Sequence, residues 1–175
     1  PEISRIAAAA KRFGVCVSIG ISERSTASAG CIWNTSLLIG ENGTLLNHHR
    51  KLVPTFYEKL VWASGDGEGL RVADTRFGRI GGLICGDQRG VPLRHHALEG
   101  ACFVVNATGW LSAEQVAQVC PDERLRGACR GGNCTAIVSP EGKHLADPLG
   151  PGEGILIADM DLALVTKRKR MMDSV

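Results

Sequence analysis

Three residue types that do covalent chemistry together occur in the first half of the chain. Cys85 closes the apolar run Ile80-Gly81-Gly82-Leu83-Ile84, which reads as a strand, and Gly86-Asp87 follows it. A thiol at a strand end can be exposed on a rigid backbone, and a glycine after it leaves room for a substrate. Lys51 ends a second strand-like run, after His48-His49-Arg50, and Glu58 follows seven residues later. A lysine near a thiol favours the thiolate and stabilises an anionic intermediate. A carboxylate beside both can take and return a proton. Taken singly, these patterns are weaker: the strand pattern alone favours a buried core cysteine, and His48–Lys51 alone favours a solvated strand end.

The elements that must position these groups follow from patterning. Ile3–Phe13, with its alanine run and Gly14 as stop, predicts a helix. Val15–Ile21 predicts a strand, and Asn34–Ile39 with Thr44–His49 predicts a hairpin around Gly40-Glu41-Asn42-Gly43. A second hairpin is expected from Leu70–Asp74 and Arg79–Cys85. Further strands are expected at Cys102–Asn106, Cys134–Val138 and Ile155–Asp159. Helices are expected near Leu93–Glu99, Ala113–Val119 and Leu162–Met172. No repeat or linker divides the chain, so residues 1–175 read as a single α/β domain of hairpins and flanking helices.

Composition narrows the class without naming a chemistry. The 175 residues are 44% hydrophobic and 22% charged, with a net charge of +2. A chain of this size buries roughly 70% of its unfolded surface, so a core is possible without staples. Disorder and collagen-like architectures are excluded by the apolar content and by glycines without period. The balanced charge gives no pull toward nucleic acid, and no apolar run has the length of a membrane span. The chain opens on Pro1 without a secretory pattern, and its seven cysteines are scattered, which predicts reduced thiols in a cytoplasmic setting and a start inside a longer sequence.

Other constellations carry less. Cys120, Cys129, Cys134 and His144 are separated by eight, four and nine residues, which does not match paired zinc ligands, so no metal is expected. Lys167-Arg168-Lys169-Arg170 reads as a solvated helix end rather than a nucleic-acid patch. Gly65-Asp66-Gly67-Glu68-Gly69 lacks the Gly-Lys-Ser/Thr ending of a phosphate loop and reads as a loop beside an active site.

Taken in order, a longer set of motifs is more specific than any one of them. Asn34-Thr-Ser-Leu-Leu-Ile, Arg50-Lys51-Leu52-x-Pro54-Thr55-x-x-Glu58, Trp62-x-x-Gly65-Asp66-Gly67 and Ile80-Gly-x-Leu-Ile-Cys85 come first. Phe103–Trp110, Gly131–Pro140, Gly152–Leu156 and Lys167–Val175 follow. The whole series resembles the nitrilase branch of the carbon–nitrogen hydrolase superfamily, specifically bacterial nitrilases.

The resemblance implies an αββα sandwich and a catalytic set of Cys85 as nucleophile, Lys51 as anion-stabilising residue and Glu58 as the second active-site glutamate. It implies no cofactor, a small-molecule nitrile as substrate, and homo-oligomers. Trp62 and Asp87 fall on substrate-binding positions, Asp87 as a shortened carboxylate where the family has Trp-Glu after the nucleophile. Relative to the family, the N-terminal part, a central segment after Cys85 and the C-terminal tail are expected to be missing. Glu2 reads as a helix-start acid rather than the family's upstream general base. The expected reaction is hydrolysis of a nitrile to a carboxylic acid and ammonia. An amidase or cyanide-degrading relative with the same triad, and an inactive assembly protein lacking the upstream base, stay open as alternatives.

Overall fold

A computed structural model describes residues 2–85, 92–129 and 135–172. The chain divides into two compact units, residues 1–90 and 91–175.

The first unit opens with helix α1, Glu2–Phe13. Glu2 in its first turn and Lys11 and Arg12 in its last complement the helix dipole. Gly14, at φ +60, stops it: the Gly14 and Val15 N–H groups bond back to the carbonyls of Lys11 and Ala10. This pairing satisfies helix-end acceptors that would otherwise be orphaned, and only a residue tolerant of positive φ permits it.

Strands β1 (Val17–Arg24), β2 (Ile32–Ile39) and β3 (Leu45–Arg50) form an antiparallel sheet in the order β1-β2-β3. The register sets Val17 opposite Ile39 and Thr35 opposite Arg50, with an irregularity at Leu38 and Ile39. The predicted Asn-Gly hairpin joins β2 to β3. Its Gly43 has φ +84, and a Cβ there would meet the Ala7 carbonyl oxygen at 2.8 Å, so the turn seats directly on α1. Leu37, Leu38, Ile39 and Ala10 are buried, and so are the polar residues Thr35, Asn47, His49 and Lys51.

Strands β4 (Val72–Thr75) and β5 (Gly78–Gly81) form the second hairpin. The expected strand running on to Cys85 ends at Gly81 instead. The register explains this: β4 begins at Val72, opposite Gly81, so residues 82–85 have no partner strand in that hairpin.

The second unit contains α2 (Leu93–Gly100), β6 (Val104–Asn106), α3 (Ala113–Val119), α4 (Arg126–Cys129), β7 (Ala136–Val138) and α5 (Ala163–Met171). β6 and β7 pair antiparallel, with Val104 opposite Val138, and all of β7 is buried. Ser112 and Gln115 cap α3 reciprocally, each side chain accepting from the other's backbone N–H. The strand expected at Ile155–Asp159 does not form. Ile155 and Ile157 are 85% and 81% exposed, and no described strand lies beside them to complete a ladder. No helix among the described residues is long and apolar enough to cross a membrane.

Candidate active site

Lys51 is the first residue past β3, and its backbone is held from two sides. Its N–H donates to the Asn34 carbonyl on β2, and its own carbonyl accepts from Gly65 N–H, both at 2.8 Å. The side chain is only 1% exposed. A buried ammonium requires a partner, because its desolvation costs several kcal/mol. Glu58 supplies that partner, with Oε2 2.5 Å from Lys51 Nζ.

Glu58 is positioned by its own segment. Thr55 caps the short 3₁₀ helix Phe56–Leu60 in extended backbone, with φ −107 and ψ 139. The Glu58 carboxylate turns back to accept from Thr55 N–H at 2.6 Å and from the Thr55 hydroxyl at 2.8 Å. Lys51 Nζ lies 3.3 Å from the same hydroxyl oxygen. Burial pushes the Glu58 carboxyl upward, but the Lys51 ammonium and the Thr55 N–H and hydroxyl outweigh it and hold the group below the ordinary glutamate range. The result is a fixed ammonium–carboxylate pair at the end of a strand, suited to stabilising charge that develops on a substrate.

Of the five residues expected at a site, the structure joins Lys51 and Glu58 directly. Cys85 is exposed and sits at φ +42, a left-handed conformation that strains any residue with a Cβ. Among the described residues no hydrogen bond or ion pair links its thiol to Lys51 or Glu58. Trp62 is half-buried and tied to the same segment, its backbone N–H donating to the Glu58 carbonyl at 2.8 Å. Its indole Nε1 is buried and finds no hydrogen-bond partner among the described residues. Asp87 lies outside the described residues, as does Cys134 of the thiol and imidazole quartet.

Two features of the site go beyond the sequence reading, which gave Thr55 no role and read Gly65–Gly69 only as a loop beside an active site. Thr55 was visible as Thr-x-x-Glu, the signature of a reciprocal cap, and its second service to Lys51 follows only from the fold. The Gly65–Gly69 run packs against β3 itself, which no spacing rule reveals.

Comparison with known proteins gives the family. A family model described as carbon–nitrogen hydrolase matches residues 1–91 and 86–170. The chain belongs to the carbon–nitrogen hydrolase family. A nitrilase from Paraburkholderia phymatum is 42% identical over 208 residues, covering 100% of this chain and 60% of that protein. Nitrilase 3 of an unknown prokaryotic organism is 38% identical, covering 99% of this chain and 62% of its own length. The chain thus spans about three fifths of the curated relatives it matches.

Among solved structures, Saccharomyces cerevisiae Nit3, a member of branch 10 of the nitrilase superfamily, superposes with a TM-score of 0.77 at 20% identity. That match covers 97% of this chain and 68% of Nit3. The Caenorhabditis elegans NitFhit protein gives 0.72 at 20% identity, over 98% of this chain and 48% of that one. The fold is therefore the α/β nitrilase-superfamily fold expected from the motifs. The two stretches matched by the carbon–nitrogen hydrolase model meet at residues 86–91, immediately after Cys85. The Paraburkholderia alignment runs over 208 positions against 175 residues here, so that relative carries residues with no counterpart in this chain.

Proposed function

We propose that the chain carries the thiol chemistry of a nitrilase-type hydrolase, converting a small nitrile and water to a carboxylic acid and ammonia. The buried Lys51–Glu58 pair, in a chain of this family, is the observation that supports the reading most strongly. The family match across both structural units also supports treating residues 1–175 as one domain.

In this mechanism the Cys85 thiolate adds to the nitrile carbon and forms a carbon–sulfur bond, while the nitrile nitrogen takes a proton. The product is a thioimidate. One water adds to its carbon, the carbon–nitrogen bond breaks, and ammonia leaves a thioester. A second water cleaves the thioester to the acid and returns the thiol. Splitting one slow hydration into covalent steps is the gain a nucleophile offers. Lys51 stabilises the anionic charge of each addition, and Glu58 holds that lysine in place. Trp62 and Asp87 serve the substrate's binding wall. A cytoplasmic, homo-oligomeric protein fits the scattered cysteines and the family resemblance.

The test is ammonia release from cyanide and a panel of aliphatic and aromatic nitriles, with Cys85→Ser as control and intact-mass analysis of both proteins. Release by the parent and none by the control supports the hydrolase. A covalent adduct on Cys85 without turnover supports the nucleophile but assigns hydrolysis to a base outside these residues. If folded protein yields neither product nor adduct, the reading is wrong and the assembly role takes its place.

A further inference from the structure

The loop from Gly65 to Gly69 lies on the backbone at the end of β3, pressed closer than any side chain would allow. A Cβ on Gly65 would stand 2.8 Å from the Lys51 carbonyl oxygen, and nearer still to that of Arg50. A Cβ on Gly69 would collide with the His48 carbonyl oxygen and the His49 Cα. All of these are backbone atoms of β3 or of Lys51 itself, and none can swing aside as a side-chain tip could. Neither glycine has a positive φ, so both are needed for space rather than for conformation.

Polar contacts fasten the loop where the glycines let it settle. Gly65 N–H is shared between the carbonyls of Lys51 at 2.8 Å and Leu52 at 3.2 Å. Asp66 meets the Arg50 guanidinium at 3.3 Å. At the other end, the buried Asn47 amide donates to the Gly69 carbonyl at 2.9 Å, and Arg71 Nε donates to Asn47 Oδ1 at 3.0 Å. Residues 47–51 are clamped between β2 on one side and this strap over the other.

We propose that Gly65 and Gly69 are positioning residues, which set the backbone of Lys51 so that Nζ falls on the Glu58 carboxylate. The role rests on the assignment of Lys51 proposed above. Glu58 is fixed independently, by its cap on Thr55, so the pair meets only if the lysine backbone is placed correctly. Displacement by an added methyl moves one partner and not the other. In a reacting site a shift of about 1 Å costs on the order of a hundredfold in rate.

The experiment uses the full chain labelled with ζ-15N lysine, the Lys51 resonance being assigned through Lys51→Arg. Gly65→Ala and Gly69→Ala are compared with Gly43→Ala, at the far end of β3, where φ is +84 and a Cβ also meets backbone. The strap variants are expected to move the Lys51 resonance and to lower kcat for a nitrile about a hundredfold, with KM within about twofold. Gly43→Ala loses stability but leaves resonance and kcat as in the parent. An unmoved Lys51 resonance in folded Gly65→Ala, or an equal shift in Gly43→Ala, overturns the proposal. If the alanine variants do not fold, Asp66→Ala, which frees the strap from Arg50 and removes the acceptor of the Glu68 N–H without adding bulk against β3, decides by the same resonance. A parent that releases no ammonia counts against the hydrolase reading alone, since the resonance still reports on the strap.

Discussion

The Glu23 carboxylate on β1 reaches across β2 to the Arg50 guanidinium on β3, with Oε1 2.5 Å from Nη2 and Oε2 3.1 Å from Nε. The same carboxylate accepts from the Thr35 hydroxyl at 2.7 Å and meets His48 Nε2 at 2.8 Å. Arg50 in turn lies over the Trp33 ring, 4.0 Å from its centroid. One ion pair thus ties all three strands together one residue before Lys51.

This network predicts an acid-labile contribution to stability. The Arg50 guanidinium, against the opposing effect of burial and with help from Thr35 and His48, brings the Glu23 carboxyl down to about 2. The unfolded chain, near ~4.3, therefore takes up the proton first as pH falls. The contribution is complete above about pH 5 and is lost toward pH 2, and with the pair partly exposed it amounts to about 2 kcal/mol. Urea unfolding at pH 7, 5 and 3 is expected to show a flatter acid limb in Glu23→Gln than in the parent. An identical limb would place the acid sensitivity elsewhere.

A second expectation concerns the buried ammonium. Glu58→Gln leaves Lys51 charged and almost wholly buried without its counter-ion, which is expected to cost about 3 kcal/mol. Lys51→Met removes the charge that needs compensation. The double variant should therefore be more stable than Glu58→Gln alone, recovering more than half of the loss. Denaturant midpoints for the four proteins give the coupling, and simple additivity would argue against a functional pair.

Legibility in the sequence followed the range of the interaction. Helix α1 was readable from its alanines and Gly14, and the first hairpin from Asn42-Gly43, because each signal and its consequence lie within a few positions. The strand expected through Cys85 stopped at Gly81 because its length is set by where β4 starts. Ile155–Asp159 has strand-like residues but no described neighbour to pair with. Lys51 and Glu58 were singled out by residue type, and only resemblance to a family raised them above a solvated strand end. Their contact depends on a bend at Leu52 and Val53 and on the 3₁₀ helix after Thr55, which together bring residue 58 back to residue 51. Glu23 and Arg50, and the strap over β3, depend on sheet register and close approach, which no local pattern encodes.

Cys85 is held at φ +42, and that strain has a measurable sign. A residue with a Cβ loses about 1–2 kcal/mol in the left-handed region, and glycine does not. Glycine's greater freedom in the unfolded chain returns up to about 1 kcal/mol of that difference. Cys85→Gly is accordingly expected to melt a few degrees above Cys85→Ala, while neither forms an adduct with a nitrile. Equal or reversed melting temperatures would show that the turn is relaxed, and that the exposed thiol is not held by a strained backbone.

Thr55 separates a role in shape from a role in charge. Its hydroxyl donates to Glu58 Oε2 and stands within reach of Lys51 Nζ, so Thr55→Val keeps the branched side chain and removes both polar contacts. The Glu58 carboxyl then rises toward its ordinary value, because one of the donors that lowered it is gone. A carboxylate depressed in the folded state stabilises above its unfolded pKa, and that contribution is lost as pH falls. Thr55→Val is therefore expected to lose about 1 kcal/mol at neutral pH and to show a shallower further loss on acidification. Thr55→Ser, which retains the hydroxyl, should follow the parent at both pH values. If Ser and Val variants behave alike, the methyl rather than the hydroxyl is what Thr55 contributes, and the Lys51–Glu58 pair needs no third partner.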